Sequence, residues 1–337
     1  RYGHLADAPV PRDRGPLETD APGFRVREWA GDITQTELVF GWRTPGITHA
    51  DAPLLDMLGT LLSTGRASRL VRATRDRRLV SSINAYNYTP TEIGVFVVHA
   101  TATEGNALEA ARTIADQLRR VRRGEIAPDE VARARQLVEA QWLRRLESAD
   151  GQANFLGDWE LAGGWERGLA YQQALLAADQ RALTDVAQRY LSLDDASIVA
   201  YRPRTAPPLA ADADALRAAL EAPGIAPLEP SLGPPPQRTP VPVRVTRERV
   251  VDGVHCFRTA DGIPILVRQR PGAALAHLGV FIAGGVVEES EAQGGISTLM
   301  ARTMLRGTKR RNATQLAEAS ELLGGTISAS VGTEAMQ

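Results

Sequence analysis

The side chains that could bind a metal ion are few and scattered along this chain. The five histidines are His4, His49, His99, His255 and His277. No two of them have the i, i+4 spacing of a helical metal site. The single cysteine, Cys256, follows His255, but adjacent residues of a strand point to opposite faces of a sheet. We therefore expect a structural role for His99, which lies in a strand pattern, and no metal site at residues 255–256.

One amphipathic stretch, residues 294–308, has two glycines at its start and Gly307 near its end. Its sequence is Gly-Gly-Ile-Ser-Thr-Leu-Met-Ala-Arg-Thr-Met-Leu-Arg-Gly-Thr, which predicts a helix over 295–306. Inside it, Thr298, Ala301 and Arg302 offer neither an imidazole nor a carboxylate, and a guanidinium repels a metal cation. Zinc needs at least three nitrogen, oxygen or sulfur ligands that converge on one point. We expect a structural role for this helix and no catalytic or metal-ligating residue in it.

Composition excludes several classes of function. The chain has 337 residues, of which 43% are hydrophobic, enough for two domains with packed cores. Its 39 basic and 40 acidic residues give a net charge of -1, so charge provides no argument for nucleic acid or a membrane surface as partner. No apolar run reaches the length of a membrane span. A single cysteine allows no internal disulfide, which is compatible with the cytosol and with the periplasm.

The pattern of the first two thirds of the chain predicts an α+β domain. Residues 1–21 are rich in proline and charge and predict an extended lead-in. Strands are predicted within 24–43 and at 80–88, 94–102 and 197–201. Helices are predicted at 53–62, 68–78, 104–123, 128–148, 152–162, 167–178 and 184–192. This order favours helices packed against a mostly antiparallel sheet.

The remaining third begins with a change in composition. Eleven of the 21 prolines fall in residues 203–242, which predicts a semi-rigid linker with a helical turn or two at 210–221. Beyond it, Asp261-Gly262 predicts the turn of a hairpin. Further strands are predicted at 278–283 and 326–334, and helices at 295–306 and 314–323.

Charged and aromatic residues leave two interpretations open. Six arginines recur at near-helical spacing, namely Arg66, Arg69, Arg72, Arg75, Arg77 and Arg78. The favoured interpretation is a solvated helix face paired with nearby acids, and the alternative is a surface inside a closed chamber that attracts acidic peptide. Tyr86 and Tyr88 are expected to pack rather than to form a peptide platform, and Glu288 and Glu289 are expected to be solvated.

Three motifs in the last third are similar to those of a known family. Residues 294–308 resemble, position for position, the helix that carries the inverted zinc motif His-x-x-Glu-His in the pitrilysin/insulinase family of metallopeptidases. Thr298, Ala301 and Arg302 stand where that motif has its histidines and glutamate. The hairpin at 261–262 resembles the family's Leu-x-Asn-Gly-Leu opening. Residues 324–334 resemble the strand at the cleft edge that pairs with an extended substrate, which implies substrate contacts at Ser328, Ala329 and Ser330.

The first part resembles the helper domain of the same family. Residues 65–70, Gly-Arg-Ala-Ser-Arg-Leu, resemble its Gly-x-x-Ser-Arg-Leu, and the helix that follows residue 126 is similar to its Val-Thr-x-x-Glu-Leu helix. The resemblance implies an inactive, C-terminal-type helper domain over 1–203 and a linker over 204–242. A degenerate, truncated N-terminal-type domain over 243–337 follows. A helper domain placed before a degenerate one is the order in the middle of a fused, two-half bacterial protein.

The resemblance also implies a function for the parent protein. It would be a zinc metalloendopeptidase that closes like a clamshell around its peptide substrate. Its zinc and catalytic N-terminal domain would lie upstream of Arg1, and a second helper domain beyond Gln337. This chain would contribute chamber wall, hinge linker and the interface between halves, without zinc of its own. The alternatives are a non-enzymatic scaffold of the same fold and a protease whose catalytic half is a separate chain. The periplasm is favoured over the cytoplasm by resemblance only.

Overall fold

The computed structural model describes residue 4 and residues 23–222, 242 and 244–337. Apart from residue 4, the lead-in predicted over 1–21 lies outside the described residues, as does the linker segment over 223–241. Two parts of the chain are distinguished below: the first region, residues 23–222, and the second region, residues 244–337. Where the structure describes the chain, each helix is too short or too polar to span a lipid bilayer.

The first region is built on a five-stranded sheet of order β1-β5-β2-β4-β3. All neighbouring strands are antiparallel except β1 and β5, which run parallel. This confirms the predicted mostly antiparallel sheet. The strands are Arg25–Gly31 (β1), Thr36–Pro45 (β2), Val80–Tyr88 (β3), Ile93–Ala102 (β4) and Ser197–Pro203 (β5).

Helices cover one face of this sheet. On β4 the side chains of Phe96, Val98 and Ala100 are fully buried, because alternate residues of a strand share a face. They pack in one core with apolar residues of the surrounding helices, such as Leu58 and Ile114. The helices of the first region are Ala52–Ser63 (α1), Ala107–Arg122 (α2), Pro128–Leu146 (α3), Ala149–Leu161 (α4), Trp165–Ala177 (α5), Gln180–Tyr190 (α6) and Ala213–Glu221 (α7).

The opposite face of the sheet is open. Trp29 and Tyr201 are register partners on β1 and β5, and their exposed fractions are 53% and 37%. Tyr86 and Tyr88 on β3 are exposed by 45% and 62%. The expectation that these two tyrosines pack is therefore wrong. They alternate with Ala85, whose side chain faces the helices, so the strand period places them on the uncovered side.

The start of the proline-rich segment packs onto the first region. The turn or two of helix predicted at 210–221 is observed as α7, which contacts α2. Leu216 and Leu220 of α7 are buried, and the Arg119 guanidinium of α2 donates to the Leu220 carbonyl oxygen. Residues up to 222 are thus held by apolar burial instead of being extended, since amphipathic helices are stabilised by a surface that covers their apolar side.

The second region has shorter elements. A three-stranded antiparallel sheet of order β6-β7-β8 is followed by a two-stranded pair of β9 and β10 and by two helices. The predicted hairpin and both predicted helices are observed. The elements are Val245–Val251 (β6), Val254–Thr259 (β7), Pro264–Arg268 (β8), Ile282–Ala283 (β9), Ile296–Met304 (α8), Ala313–Glu321 (α9) and Ala335–Met336 (β10).

Three predicted elements are shorter than expected. The strand over 278–283 is reduced to β9, and the strand over 326–334 is replaced by irregular backbone before β10. The helix over 68–78 is largely a π-helical segment, Val71–Arg75, after which the chain turns at Arg78 with φ of 62°. That turn lets Leu79 and Val80 enter β3 with buried side chains, so tertiary packing overrides helical spacing here.

Candidate functional site

The helix α8 contains the three positions that correspond to the zinc motif of the resembled family. Its N-cap, Gly295, has a left-handed φ of 91°, a conformation that costs glycine little. The Glu289 carboxylate accepts the Gly295 N–H at 2.6 Å and the Ser297 N–H at 2.8 Å. These two backbone hydrogen bonds hold the pKa of Glu289 below its usual value. Glu289, expected to be merely solvated, therefore caps the helix, which the sequence concealed because a 3-10 turn separates it from α8.

The three motif positions on α8 do not fit a zinc ion. Thr298 and Arg302 are exposed and Ala301 is 6% exposed. A hydroxyl, a guanidinium and a methyl group provide no imidazole or carboxylate donor at the places where a helical site needs them. Within residues 4, 23–222, 242 and 244–337, no group of three or more His, Cys, Asp and Glu side chains is placed to hold a metal ion.

The histidines in the first region have other partners. His99 Nε2 lies 2.7 Å from the Glu37 carboxylate on the open face of the sheet, and Thr101 Oγ1 donates to the same carboxylate. His49 Nδ1 accepts the Asp51 N–H just before α1. These contacts are structural polar networks at strand and helix ends.

The histidines in the second region are separate from each other. His255 Nδ1 lies 3.0 Å from an Arg247 nitrogen, and its ring stacks on Phe257. His277 is exposed in a stretch without regular structure. Cys256 is 9% exposed, whereas its neighbour His255 interacts with Arg247, consistent with opposite faces of β7.

Of the three residues predicted to contact substrate, only Ser330 is paired in a small hairpin. Ser330 exchanges backbone hydrogen bonds with Gln337, at 2.8 Å and 2.9 Å. Ser328 is exposed and Ala329 is half-buried, both in irregular backbone. Residues 332–334 accept backbone hydrogen bonds from 284–287. Substrate contact by Ser328, Ala329 and Ser330 stays a prediction.

A buried ion pair joins the two regions. Arg133 of α3 and Glu321 of α9 are 2% and 3% exposed, and Arg133 Nη1 donates to Glu321 Oε2 at 3.1 Å. The guanidinium also donates to the carbonyl oxygens of Thr64 and Leu61, at 2.7 Å and 3.0 Å. Burial lowers the pKa of Arg133, while the Glu321 carboxylate opposes this change. An arginine keeps its charge even so, and the pair is therefore a matched set of buried charges.

The second oxygen of the same carboxylate is also occupied. Glu321 Oε1 accepts the Arg66 N–H at 2.7 Å and the Ala67 N–H at 3.3 Å. A cleft of about 110 Å³ lies beside the carboxylate, with Arg66, Leu305, Leu316 and Ile327 among its lining residues. The contact thus combines a fully hydrogen-bonded carboxylate with a small apolar cleft between the regions.

The arginine run separates into two sets. Arg69 is 6% exposed and donates to Glu130 at 3.0 Å, and Arg66 donates to the Leu305 carbonyl oxygen at 3.4 Å. The favoured interpretation is right that Arg69 pairs with an acid, Glu130 on α3, and wrong that Arg69 is solvated, because its guanidinium is buried. Three members of the run remain exposed, namely Arg75, Arg77 and Arg78.

Two family models match this chain. Residues 4–138 match the Peptidase M16 inactive domain, and residues 265–337 match Insulinase (Peptidase family M16). The first match covers the sheet strands β1 to β4 with α1 and α2, and the second covers α8 and α9. Helices packed on a mostly antiparallel sheet, as observed, agree with these matches.

Parts of the chain are also similar to individual proteins. The chain is 26% identical over 168 residues to the zinc protease PqqE of Helicobacter pylori, covering 49% of this chain and 38% of that protein. The crystal structure of a protease from Helicobacter pylori has a TM-score of 0.51 at 25% identity and covers 54% of this chain and 45% of that one. A peptidase M16 inactive domain from Pseudomonas fluorescens has a TM-score of 0.47 at 16% identity, covering 58% and 47%. The chain spans less than half the length of these relatives.

Proposed function

The chain belongs to peptidase family M16, the insulinase family, and from this premise we propose that it is the non-catalytic middle of a zinc metalloendopeptidase. Residues 1–203 are its helper domain and residues 243–337 the beginning of a degenerate N-terminal-type domain. Residues 204–242 link the two, with α7 packed back on α2. The zinc, the catalytic domain and a second helper domain belong to the parent protein outside this chain, and the periplasm is the proposed location.

The observation that carries this proposal is that α8 keeps the form of the zinc-motif helix but lacks zinc ligands. The helix keeps a glycine entry and a carboxylate cap, but the side chains at Thr298, Ala301 and Arg302 cannot ligate zinc. If the parent protein uses zinc, as the family does, the zinc ligands must therefore come from another domain. This chain contributes surfaces that bind and enclose substrate, and takes no part in a zinc-dependent step.

The open sheet face supports a role as chamber wall. Four aromatic side chains are partly exposed there, and no described helix covers them: Trp29, Tyr201, Tyr86 and Tyr88. Aromatic side chains with one polar end bind peptides well because they bury large areas at a low cost in conformational entropy. We propose that this face lines the chamber and that an extended peptide pairs along residues 328–330.

The buried contact between Arg133 and Glu321 supports the interface role. Its carboxylate has three hydrogen-bond partners, all supplied by the first region. Buried charged groups with complete hydrogen bonding fix one relative arrangement of the surfaces that carry them. We propose that this contact sets how the degenerate domain sits against the helper domain.

Metal analysis of the purified chain tests the proposal. The wild-type chain is expected to hold no stoichiometric zinc after equilibration with the metal and gel filtration, and to leave a fluorogenic peptide uncleaved. The matched control is the double variant T298H/R302H, which places two imidazoles at i and i+4 on α8. This variant places two imidazoles on one helix face, which is two of the three ligands that a stable site needs. It is expected to bind zinc measurably more tightly than the wild type in a direct titration, without holding the ion through gel filtration.

Two results would count against the proposal. One tightly held zinc per wild-type chain would refute the inactive role of α8. A coding sequence upstream of Arg1 without a His-x-x-Glu-His motif would favour the non-enzymatic scaffold instead.

A further inference from the structure

The first of two basic turns follows the π-helical segment. The Arg78 N–H donates to the Arg75 carbonyl oxygen and the Leu79 N–H to the Thr74 carbonyl oxygen, both at 2.9 Å. These bonds close a tight turn over 75–78, while burial of Leu79 anchors its far end. The backbone of the turn is thus ordered, and the side chains of Arg75, Arg77 and Arg78 on it are exposed.

The second basic turn connects α8 and α9. The Thr308 N–H donates to the Arg311 carbonyl oxygen at 2.7 Å, and Thr308 Oγ1 accepts the N–H groups of Arg310 and Arg311 at 3.1 Å and 3.0 Å. Lys309 and Arg310 are exposed and Arg311 is half-buried. This turn also presents three cationic side chains on an ordered backbone.

A contact from the start of α9, just after the second turn, reaches the first turn. Thr314, in the first turn of α9, donates through Oγ1 to Asp76 Oδ2 at 3.5 Å, a contact across 238 positions of sequence. The apolar cleft beside Glu321 begins next to them, since Leu305 and Leu316 line it. One surface thus combines six cationic side chains with an adjoining apolar cleft. We call it the basic surface: Arg75, Arg77, Arg78, Lys309, Arg310 and Arg311.

Among the described residues, no acidic side chain forms an ion pair with the basic surface. In the part that the structure describes, no ion pair involves any of its six cations, whereas buried or half-buried arginines such as Arg69, Arg120 and Arg202 are each paired with a carboxylate. Asp76, the one acid inside the two turns, already accepts from Thr314. Like charges held together repel each other, and a bound anion relieves that repulsion.

We propose that the basic surface binds acidic segments of polypeptide. Arginine guanidiniums match carboxylates in geometry, and the adjoining cleft accepts apolar side chains from the same segment. Neither turn contains an aromatic residue on which a nucleic-acid base could stack. The choice of polypeptide as ligand rests on the proposed function, which it deepens by naming a substrate class.

Fluorescence anisotropy with the full chain tests the proposal. The probe is a labelled peptide of glutamate interspersed with leucine, and its comparators are the glutamine version and a single-stranded DNA of equal charge. At low salt the acidic peptide is expected to bind and the glutamine version not. Each triple variant, R75Q/R77Q/R78Q and K309Q/R310Q/R311Q, is expected to weaken binding by about tenfold, since several surface pairs each contribute modestly.

The matched control removes three exposed arginines elsewhere, as R123Q/R181Q/R204Q. It changes net charge equally and is expected to alter affinity by less than about twofold, because screened charges act over about 10 Å. Equal weakening by this control, or equal binding of the glutamine peptide, would overturn the proposal. DNA binding as tight as that of the acidic peptide would overturn the polypeptide class.

Far-ultraviolet circular dichroism and thermal unfolding of each variant check that the fold persists, as expected for exposed and half-buried surface side chains. The outcome is independent of zinc content. A zinc-binding wild-type chain would therefore refute the proposed function without deciding the role of the basic surface.

Discussion

The two regions of this molecule both contain apolar strands, but these are buried in the first region and exposed in the second. In the first region, strand residues such as Leu38, Phe40 and Phe96 are fully buried. In the second region, Ile265, Leu266 and Val267 on three successive positions of β8 are exposed by 36%, 69% and 46%. The first sheet has a layer of helices on one face, whereas β8 has no layer on either side among the described residues.

This difference shows where the stability of each region comes from. Apolar side chains stabilise a fold only when another surface removes them from water. Outside the contact with α3, the second region buries few apolar side chains, and Leu278 and Phe281 are exposed by 94% and 71%. Its most buried side chains include the polar Glu318 and Glu321 of α9. The first region is thus expected to unfold as one cooperative unit, and the second to depend on polar contacts with it.

The sharpest test compares two phenylalanines. The variant F96A removes a fully buried ring from β4 and is expected to lower the free energy of unfolding by about 3–5 kcal/mol. The variant F281A removes a ring that is 71% exposed and is expected to change it by less than about 0.5 kcal/mol. Urea denaturation followed by circular dichroism measures both. A similar loss in both variants would show that the second region has a core of its own.

The second prediction concerns the ion pair between the regions. E321A leaves the Arg133 guanidinium buried without its carboxylate and is expected to cost about 3 kcal/mol. Hydrogen exchange of α9 should then rise toward that of unprotected amides, because its main attachment is lost.

Two further variants complete this test. R145A removes one side of the exposed pair between Arg145 and Asp158 and is expected to cost less than about 1 kcal/mol. The double variant R133M/E321L is expected to recover much of the loss, since apolar residues can replace a buried pair. Unchanged protection of α9 in E321A would mean that apolar contacts alone hold the second region.

The third prediction uses two carboxylates with opposite pKa changes. Burial raises the pKa of Asp56 on α1 to about 6, although Tyr171 donates a hydrogen bond to it at 2.7 Å. The folded state therefore binds this proton more tightly than the unfolded state. The resulting stability is present below pH 4 and is lost as pH rises to about 6, a loss of about 2–3 kcal/mol. The variant D56N should lack this loss when unfolding is measured from pH 4 to pH 7.

Glu289 of the second region should behave in the opposite way. Its hydrogen bonds from Gly295 and Ser297 lower its pKa, so its contribution is present at neutral pH and is lost as pH falls below its usual value of 4.5. The variant E289Q is expected to weaken protection of α8 at pH 7 and to have little effect in acid. If both variants changed stability with the same pH slope, the two environments would not differ as described.

The smallest expected effect compares two helix caps. Asp179 accepts the Ala182 N–H at 2.8 Å at the start of α6, and Asn312 accepts the Gln315 N–H at 2.9 Å at the start of α9. Replacing either by alanine should cost about 1 kcal/mol. In D179A the loss should appear in global unfolding, and in N312A only in local hydrogen exchange of α9. Global destabilisation by N312A would indicate that the regions unfold together.

Much of the first region could be predicted because its patterns are long and regular. The strand predicted at 80–88 is observed as Val80–Tyr88, and the helix predicted at 53–62 as Ala52–Ser63. The prediction was wrong for short segments, whose secondary structure depends on the elements packed against them. Residues 278–283 are apolar enough for a strand, but only Ile282 and Ala283 find a partner strand in β10. A strand needs hydrogen bonds from a neighbour, which an apolar pattern cannot provide.

The candidate site shows the same division. Residue types alone indicated that Thr298, Ala301 and Arg302 cannot ligate zinc, because ligand chemistry depends on composition at given positions. The Glu289 cap and the Arg133–Glu321 pair could not be predicted in this way. Both depend on where the chain returns in space, and glutamate and arginine are usually solvated at the surface.

Sequence by itself thus determined the order of helices and strands. It also determined that α8 resembles the zinc-motif helix of the family and lacks zinc ligands at the three motif positions. Local periodicity and side-chain chemistry are sufficient for these properties. Only the tertiary structure decided that Glu321 is buried against Arg133 and that Tyr86 and Tyr88 are open to solvent. It alone also decided that Asp76 of the first basic turn contacts Thr314, just after the second, across 238 positions. Burial and charge pairing between distant segments arise from packing, and no local pattern encodes them.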